Sequence, residues 1–246
     1  MDDVVQKSHA PAGDGADLDD SGAEDAVRQP RPRDPERTRL AILDAATAEF
    51  VAHGFAGASV NEIAARAKVN KRMLYHYYGK KDDLYLAVLE RSYKGIRNAE
   101  RELRLTDLPP REAIERLVMF TWDYFLEHPE FLSLLNTENM LRARYLRQSG
   151  QIRDLHSPLI SMMRDVLERG VAEGTFRRGV DPVQLYVSIA SLGFFYLSNR
   201  YTLSTIFERD LLDPAQLAER GRHIVEVILG YLSCEAESAT TKVSAT

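Results

Sequence analysis

The sequence is poor in the residues and motifs that serve covalent and metal chemistry. Its single cysteine, Cys234, cannot form an intrachain disulfide or a thiolate metal cluster. No two of its six histidines lie at metal-ligand spacing, and the sequence contains no Gly-x-Ser-x-Gly elbow, P-loop or Gly-x-Gly-x-x-Gly motif. We therefore expect a protein that is not an enzyme and that uses no cofactor or metal.

Long apolar runs are also missing. The longest, Ser188–Tyr196, is far shorter than the roughly 20 residues that a membrane-spanning helix needs. The N-terminus is acidic and lacks the apolar segment of a signal peptide. The sequence therefore predicts no membrane association and a cytoplasmic location.

The distribution of charge is more informative than the net charge of −5. Residues 1–25 carry eight acids and one base, whereas residues 26–80 carry ten bases and five acids. Positive charge that is confined to one short segment is typical of a DNA-binding module joined to a neutral or acidic domain.

Composition divides the chain into four parts. Residues 1–34 hold too few large apolar side chains to offset the entropy of ordering, so we expect them to be disordered. The basic end of this tail, residues 28–33, is either an arm that contacts DNA or a solvated linker. We expect a first helical domain at 35–80, a second at 81–235 and a disordered tail at 236–246.

The first domain begins with a long helix and a capping motif. Apolar residues recur with helical spacing over about 35–53, and Gly54 is placed to end that helix. Ser59 and Glu62 form a capping box. In it the serine side chain accepts from an N3 amide, and Glu62 is expected to reach back to the Ser59 amide.

The segment 60–77 has the pattern of a helix-turn-helix. The second helix stops near Ala67, a short break follows at 68–70, and a third helix covers 71–77 before Gly79. Two short helices joined by a tight turn after a longer helix form the geometry of this DNA-binding motif.

The third helix carries many large polar and aromatic side chains. Leu74 and Tyr78 are spaced to pack inward, which leaves the others facing outward. Such side chains suit phosphates, thymine methyls and base edges. An aromatic-rich interface helix in a protein–protein adaptor is the alternative. The outward set is Lys71, Arg72, Met73, Tyr75, His76 and Tyr77.

The segment Arg39–Leu84 resembles the DNA-binding domain of the tetracycline-repressor (TetR) family. The matching landmarks are Arg39-x-x-Ile42-Leu43-x-Ala45-Ala46, Phe50-x-x-x-Gly54-Phe55, Ser59-Val60-x-x-Ile63-Ala64, Ala67-x-Val69, Leu74-Tyr75-His76-Tyr77-Tyr78 and Lys81-x-x-Leu84. The sequence departs from the common family pattern at Lys68, where glycine is usual, and at His76-Tyr77, which reverses a common Tyr-His order.

The resemblance implies three groups of contacts with double-stranded operator DNA. They are phosphate contacts at helix N-termini (Ser59, Lys81), major-groove contacts (Lys71, Arg72, Tyr75) and backbone phosphate contacts (His76, Tyr77). For Lys81, an ordinary surface lysine is the alternative interpretation.

The rest of the chain is strongly helical, so the predicted fold class is all-α: a three-helix DNA-binding domain followed by a helical bundle. The predicted helices cover about 81–104, 110–127, 157–173, 181–199 and 214–233, with one or two more within 130–148. An oxygen-bearing residue followed by proline starts three of them, at Ser157, Asp181 and Asp213.

The helices at 181–199 and 214–233 are the predicted homodimer interface. The first is apolar almost all round and the second has a wide apolar stripe, so both need partners on two sides. The resemblance implies that they pair across a two-fold axis. A buried central helix in a monomer is the alternative.

The resemblance also implies a small-molecule effector inside the bundle. Aromatic, methionine and polar residues of the middle helices are the candidates, although each aromatic or methionine also suits the core. Asn136 and Asn139 are expected to be buried and to need partners, which a ligand could supply. An arginine there would suit an anionic effector, although a surface arginine is the commoner case. The predicted effector is an aromatic or heterocyclic acid. The set is Trp122, Phe125, Asn136, Asn139, Met140, Arg144, Met163, Phe195 and Asn199.

The regulatory half, from His128 to Ser204, is similar to that of family members tied to the catabolism of nitrogen heterocycles. The sequence thus predicts a dimeric regulator that binds a pseudo-palindromic operator, represses transcription and is released by its effector. Activation, and an adaptor without specific DNA binding, stay as alternatives.

Overall fold

A computed structural model describes residues 34–233 of the chain. The expectations for the two tails fall outside these residues. The described part contains ten α-helices. Its β-structure is one isolated antiparallel bridge between Phe176 and Ser233. The predicted all-α class is confirmed. No helix in this part of the chain is long and apolar enough to cross a membrane.

The first three helices are α1 (Pro35–Gly57), α2 (Val60–Arg66) and α3 (Lys71–Tyr78). Gly54 has the positive φ of 63° that the predicted helix end requires, and a further turn follows it. Apolar side chains from all three helices meet in one core, where their exposed fraction is 1% or less: Ile42, Ala46, Phe50, Ile63 and Leu74.

The capping of α2 confirms one half of the predicted box and corrects the other. The Ser59 side chain accepts from the Glu62 amide at 3.4 Å, as predicted. The Ser59 amide, however, donates to Oε1 of Glu49 at 3.1 Å and not to Glu62. Glu49 lies on α1 and is buried, so the cap also fastens α2 to α1.

Seven further α-helices follow in the described residues and form a bundle, and proline occupies the first turn of four of them. They are α4 (Lys81–Glu102), α5 (Pro110–Glu127), α6 (Pro129–Met140), α7 (Gly150–Ala172), α8 (Pro182–Ser198), α9 (Arg200–Phe207) and α10 (Pro214–Leu232). The side chains of Asp181 and Asp213 cap α8 and α10, as the sequence predicts.

Two helices differ from the prediction. The helix expected to begin at Ser157 begins instead at Gly150, because Ser149 caps it by accepting from the Ile152 amide at 3.2 Å, and Pro158 lies inside it. Helix α9 was not predicted. Its side chains are half-buried or exposed, and none is buried.

Helix α4 lies between the first three helices and the bundle. It packs against α1 and α3 at its start and against α7 and α5 further along. Helix α5 then packs against α7, α8 and α10 and so lies at the centre of the bundle. A shift of α4 would therefore change its packing against both the helix-turn-helix and the bundle.

Candidate DNA-binding and effector sites

The exposed side of α3 gathers the predicted major-groove residues. Lys71, Arg72, Tyr75 and His76 are all exposed, whereas Leu74 between them is fully buried. Positions i, i+1, i+4 and i+5 lie on one side of a helix, so these four side chains share a surface. The structure thus brings cations and aromatic rings together on the outer face of the helix-turn-helix.

Short-range contacts hold α3 in place. Oδ1 of Asn70 accepts from the Met73 amide at 2.7 Å and caps the helix start. At the other end the Tyr78 hydroxyl donates to the Arg39 carbonyl on α1 at 3.0 Å. Burial raises the pKa of Tyr78, so this hydroxyl stays a donor. Met73 and Tyr77 are half-buried and lie at the edge of the exposed face.

Lys81 is placed differently from an extended surface lysine. Its ammonium donates to the carbonyls of Ala58 at 2.6 Å and Ala56 at 3.4 Å, and it lies 4.9 Å from the centre of the Phe55 ring. These bonds brace the segment that leads to Ser59 and α2. Phosphate binding by Ser59 and Lys81 stays a prediction.

The predicted effector residues do not converge on one cavity. Trp122, Phe125 and Met163 are core residues with at most 4% exposure. In contrast, Met140 is 85% exposed and Phe195 is 60% exposed. In the single chain α6 and the end of α8 turn these two side chains outward, so the candidates do not share one lining, and their role in effector binding stays a prediction.

The asparagines expected to be buried are also on the surface. Asn136 and Asn139 are exposed, because the inward side of α6 carries apolar residues and Glu138. The amides of Asn139 and Asn199 each donate at 2.9 Å to a carbonyl of their own helix. These side chains therefore need no ligand as a partner.

A cavity of about 450 Å³ lies between the C-terminal half of α7 and the segment that leads into α8. None of the predicted effector residues lines it. Its wall combines three arginines with apolar side chains: Arg164, Leu167, Glu168, Val171, Arg177, Arg178, Gly179, Val180 and Pro182.

A buried ion pair inside the bundle was missed by the sequence analysis. On α4, Nη1 of Arg97 lies 2.7 Å from Oε2 of Glu100, and the two side chains are 1% and 2% exposed. Nη2 of Arg97 donates to the Tyr186 hydroxyl on α8 at 2.8 Å. Burial raises the pKa of Glu100 to about 7, against the lowering effect of Arg97. One feature of the sequence could have indicated this pair. Arg97 and Glu100 continue the apolar stripe that Tyr93 and Ile96 form on α4, so both charges lie on its buried side.

The junction between the first three helices and the bundle is built on Tyr145. Its amide donates to Oε1 of the buried Glu138 at 2.7 Å, and its hydroxyl donates to Oδ1 of Asp82 at 2.9 Å. Its ring contacts Phe55, with centroids 4.9 Å apart. Arg144, expected in the effector pocket, lies here instead, 3.8 Å from Asp82.

Apolar side chains of α8 and α10 remain on the surface of the single chain. Val183, Val187 and Phe195 follow one another on α8 at multiples of four residues and are 46–60% exposed. Val227 and Tyr231 on α10 are 40% and 47% exposed. This exposed apolar surface lies on the two helices that the sequence predicts to form the dimer.

A helix-turn-helix with a cationic, aromatic outer face on a helical bundle defines a DNA-binding regulator. Residues 42–88 match the family model for bacterial regulatory proteins of the tetR family. Residues 110–228 match the model for the tetracyclin repressor-like C-terminal domain.

Known proteins agree with these matches. The transcriptional repressor NicS of Pseudomonas putida is 40% identical over 189 residues, which cover 77% of this chain and 89% of that protein. The transcriptional repressor SCO4008 of Streptomyces coelicolor is 36% identical over 140 residues, which cover 56% of this chain and 69% of that protein. The structure of the ketosteroid transcriptional regulator KstR2 of Mycobacterium tuberculosis shares the fold, with a TM-score of 0.60 at 22% identity over 84% of this chain and 98% of that one.

The chain belongs to the TetR family. It is a DNA-binding transcriptional regulator, and its relatives include proteins named as repressors. Regulators of this family bind operator DNA, dimerise and bind small-molecule effectors.

Proposed function

We propose that this protein is a homodimeric repressor that places α3 of each protomer in a major groove of a pseudo-palindromic operator. The exposed face of α3 carries this proposal, because it offers two cations and two aromatic rings to the same surface. Arg72 and Lys71 suit guanine edges or phosphates, and Tyr75 suits a thymine methyl or a phosphate. A chromosomal operator agrees with the cytoplasmic location that the sequence predicts.

We further propose that α8 and α10 form the dimer interface. The exposed valines of α8 and Tyr231 of α10 would leave water on pairing, which favours association by roughly 25 cal/mol per Å² of apolar surface buried. A two-fold axis through this surface presents two α3 helices to successive major grooves on one side of the DNA.

We propose an aromatic or heterocyclic acid as the effector. The resemblance of the regulatory half to that of heterocycle-responsive members supports this class. The effector lowers operator affinity only as far as it binds the released conformation more tightly than the bound one. Helix α4, which contacts both domains, is the element whose position the effector would bias.

Fluorescence anisotropy tests the proposal. Wild-type protein is titrated against labelled DNA from upstream of its own gene, beside Arg72→Ala, Tyr75→Ala and the control Arg111→Ala. Arg111 is an exposed cation of α5, so its removal matches the charge change away from α3. We expect specific binding that is lost in the two α3 variants, kept in the control and weakened steeply by salt.

Folded variants with wild-type binding would contradict the assigned role of α3. A wild-type protein with no preference for this DNA over random DNA, tested also against a pool of genomic fragments, would favour the helical adaptor.

A further inference from the structure

Among the described residues, Arg97 is the largest side chain that is fully buried. Its partner Glu100 is equally enclosed. Beyond their mutual ion pair, Nε of Arg97 and Oε1 of Glu100 have no hydrogen-bond partner in the protein. Since nearly all buried polar atoms in native proteins are hydrogen-bonded, these two atoms require an explanation.

Stability alone does not explain the pair. Apolar residues of similar volume are often at least as stabilising as a buried ion pair, because desolvation offsets the attraction between the charges. The pair lies on the stripe of α4 where apolar side chains would otherwise complete the core. A buried arginine with unused donor capacity is suited to hold an anion.

The surroundings of Arg97 are aromatic. The Tyr186 ring lies 5.3 Å from its guanidinium, and Tyr93 is one helical turn earlier on α4. Tyr124 of α5 approaches the same stretch, since its hydroxyl would be 3.2 Å from a Cβ placed on Gly95. Flat rings on α4, α5 and α8 therefore converge near one cation.

The aromatic cluster also leads towards solvent. The Tyr124 ring contacts the His128 ring at a tilt, with centroids 4.2 Å apart, and the His128 side chain is 41% exposed. Tyr124 and His128 therefore form the part of this cluster that is nearest to solvent. The site is thus enclosed but has one side formed by surface residues.

We infer that Arg97, together with Glu100 and Tyr186, forms the anion-binding anchor of the effector site, and that it receives the carboxylate of a planar aromatic acid. This inference rests on the proposed function, because it takes the ligand to be the effector. The ligand carboxylate accepts from the guanidinium, and the tyrosine rings pack on the flat faces of the acid.

Binding in this way exchanges one carboxylate for another. The ligand replaces Glu100 beside Arg97, and Glu100 takes up a proton so that the buried site keeps its charge balance. Because burial already holds the pKa of Glu100 near 7, this proton uptake costs little at neutral pH. Beside Arg97, the titratable groups that interact with Glu100 or with its neighbours are Tyr93 on α4, Tyr124 on α5, Glu138 on α6, Tyr186 on α8 and, at the rim, Glu130.

The exchange has a measurable consequence. Above pH 7 the binding of each ligand carboxylate is accompanied by the uptake of one proton from solvent by Glu100, so the affinity falls about tenfold per pH unit. Below pH 7 Glu100 is already protonated and the affinity levels off. A neutral amide of the same acid forms no ion pair with Arg97, so it should bind more weakly than the acid at low pH and without this pH dependence.

The test uses benzoate and the three pyridine carboxylates as probes, with the corresponding neutral amides as matched controls. Fluorescence of Trp122, the single tryptophan of the chain and a residue of α5, reports binding. Calorimetry in two buffers with different ionisation enthalpies counts the protons taken up. Wild-type protein should bind at least one acid in preference to its amide, with the predicted pH dependence.

Two variants separate an anchor from a purely structural pair. Glu100→Gln mimics the protonated carboxyl, so it should bind the acid at least as tightly as wild type and lose the pH dependence. Arg97→Met should lose more than about tenfold in affinity for the acid, since its only charge partner is gone. A structural pair would instead lower thermal stability in both variants and leave the pH profile of binding unchanged.

Operator binding is measured on the same preparations. Wild-type protein that binds its operator but none of the acids at millimolar concentration overturns this inference and leaves the proposed function standing. So does a Glu100→Gln variant that keeps the wild-type pH profile, which decides the matter even if Arg97→Met does not fold. Loss of operator binding by the wild type would instead count against the proposed function.

Discussion

The hydroxyl of Tyr145 donates to Oδ1 of Asp82 across 2.9 Å, and this bond joins the loop after α6 to the first turn of α4. Tyr145 is 1% exposed. Burial and the bond to Asp82 raise its pKa to about 12, so the hydroxyl keeps its proton at neutral pH. This side chain is therefore one contact through which a movement of the bundle reaches α4 and the end of α1, beside the packing of α4 on α7 and of α1 on α6.

Removal of that hydroxyl should weaken the coupling between the domains. Tyr145→Phe keeps the ring contacts with Phe55 and loses the bond to Asp82. We expect the free energy of unfolding to fall by about 1 kcal/mol. We also expect the effector to change operator affinity less than in wild type. Urea denaturation measures the first effect, and anisotropy with and without effector measures the second.

Tyr201→Phe is the matched control for this change. Tyr201 is 68% exposed on α9, so the loss of its hydroxyl should leave both quantities near the wild-type values. An unchanged effector response in Tyr145→Phe would show that the coupling runs through other contacts.

A charge on the exposed face of α8 should break the dimer. Val187→Glu would place a carboxylate in the proposed apolar interface, where the cost of desolvation is high. We expect a monomer at micromolar concentration and a large loss of operator affinity, because the two half-sites are no longer bound together. Light scattering after size-exclusion chromatography gives the mass.

Met140→Glu, which adds the same charge at another exposed apolar position, should stay dimeric. A dimeric Val187→Glu would place the interface elsewhere.

Glycine at position 68 should stabilise the protein. Lys68 has a φ of 54°, in the left-handed region that costs a residue with a Cβ about 1–2 kcal/mol. Lys68→Gly removes this strain but adds backbone entropy to the unfolded chain, so we expect a net gain of roughly 0.5–1 kcal/mol in urea denaturation. Lys68→Ala removes the same charge and keeps the Cβ. Equal stability of the two variants would mean that the gain comes from charge and not from the backbone.

The raised pKa of Glu100 predicts a dependence of stability on pH. The folded protein holds a proton on Glu100 up to about pH 7, whereas the unfolded chain releases it near pH 4.5. Between these pH values the folded state holds a proton on Glu100 that the unfolded chain has released. The contribution of Glu100 to the free energy of unfolding therefore falls by roughly 1–3 kcal/mol as pH rises from 4.5 to 7, and it is constant above pH 7. Glu100→Gln should lack this slope in chemical denaturation at a series of pH values. A slope equal to that of wild type would assign the titration to another group.

Much of the fold followed from signals that act within one helical turn. Asp181 and Asp213 before proline set the starts of α8 and α10, because a side-chain oxygen and a pre-set φ act on adjacent residues. The sequence also predicted that Leu74 faces inward and its neighbours on α3 face outward, since helix periodicity alone separates the two sides of a helix.

Where two signals compete, packing decided the outcome. Pro158 looked like a helix start, but Ser149 is tied to Glu90 of α4 by a bond of 2.6 Å and starts the helix a full two turns earlier. The Ser59 amide had a local acceptor in Glu62, yet it bonds to Glu49 ten residues away, which the turn at Gly54 brings alongside. Neither partner is visible from a window of neighbouring residues.

By itself, the sequence determined the helical class, the helix-turn-helix and the outward residues of α3, because capping, proline and the 3.6-residue period act locally. It could not place the effector residues, since whether a side chain is buried depends on which helices cover it. Only the tertiary structure turned Asn136 and Met140 outward, enclosed Arg97 with Glu100 beneath Tyr186, and moved Arg144 to the junction with Asp82. The physical reason is that burial and charge pairing are set by helices far apart in the chain, whose packing no local pattern encodes.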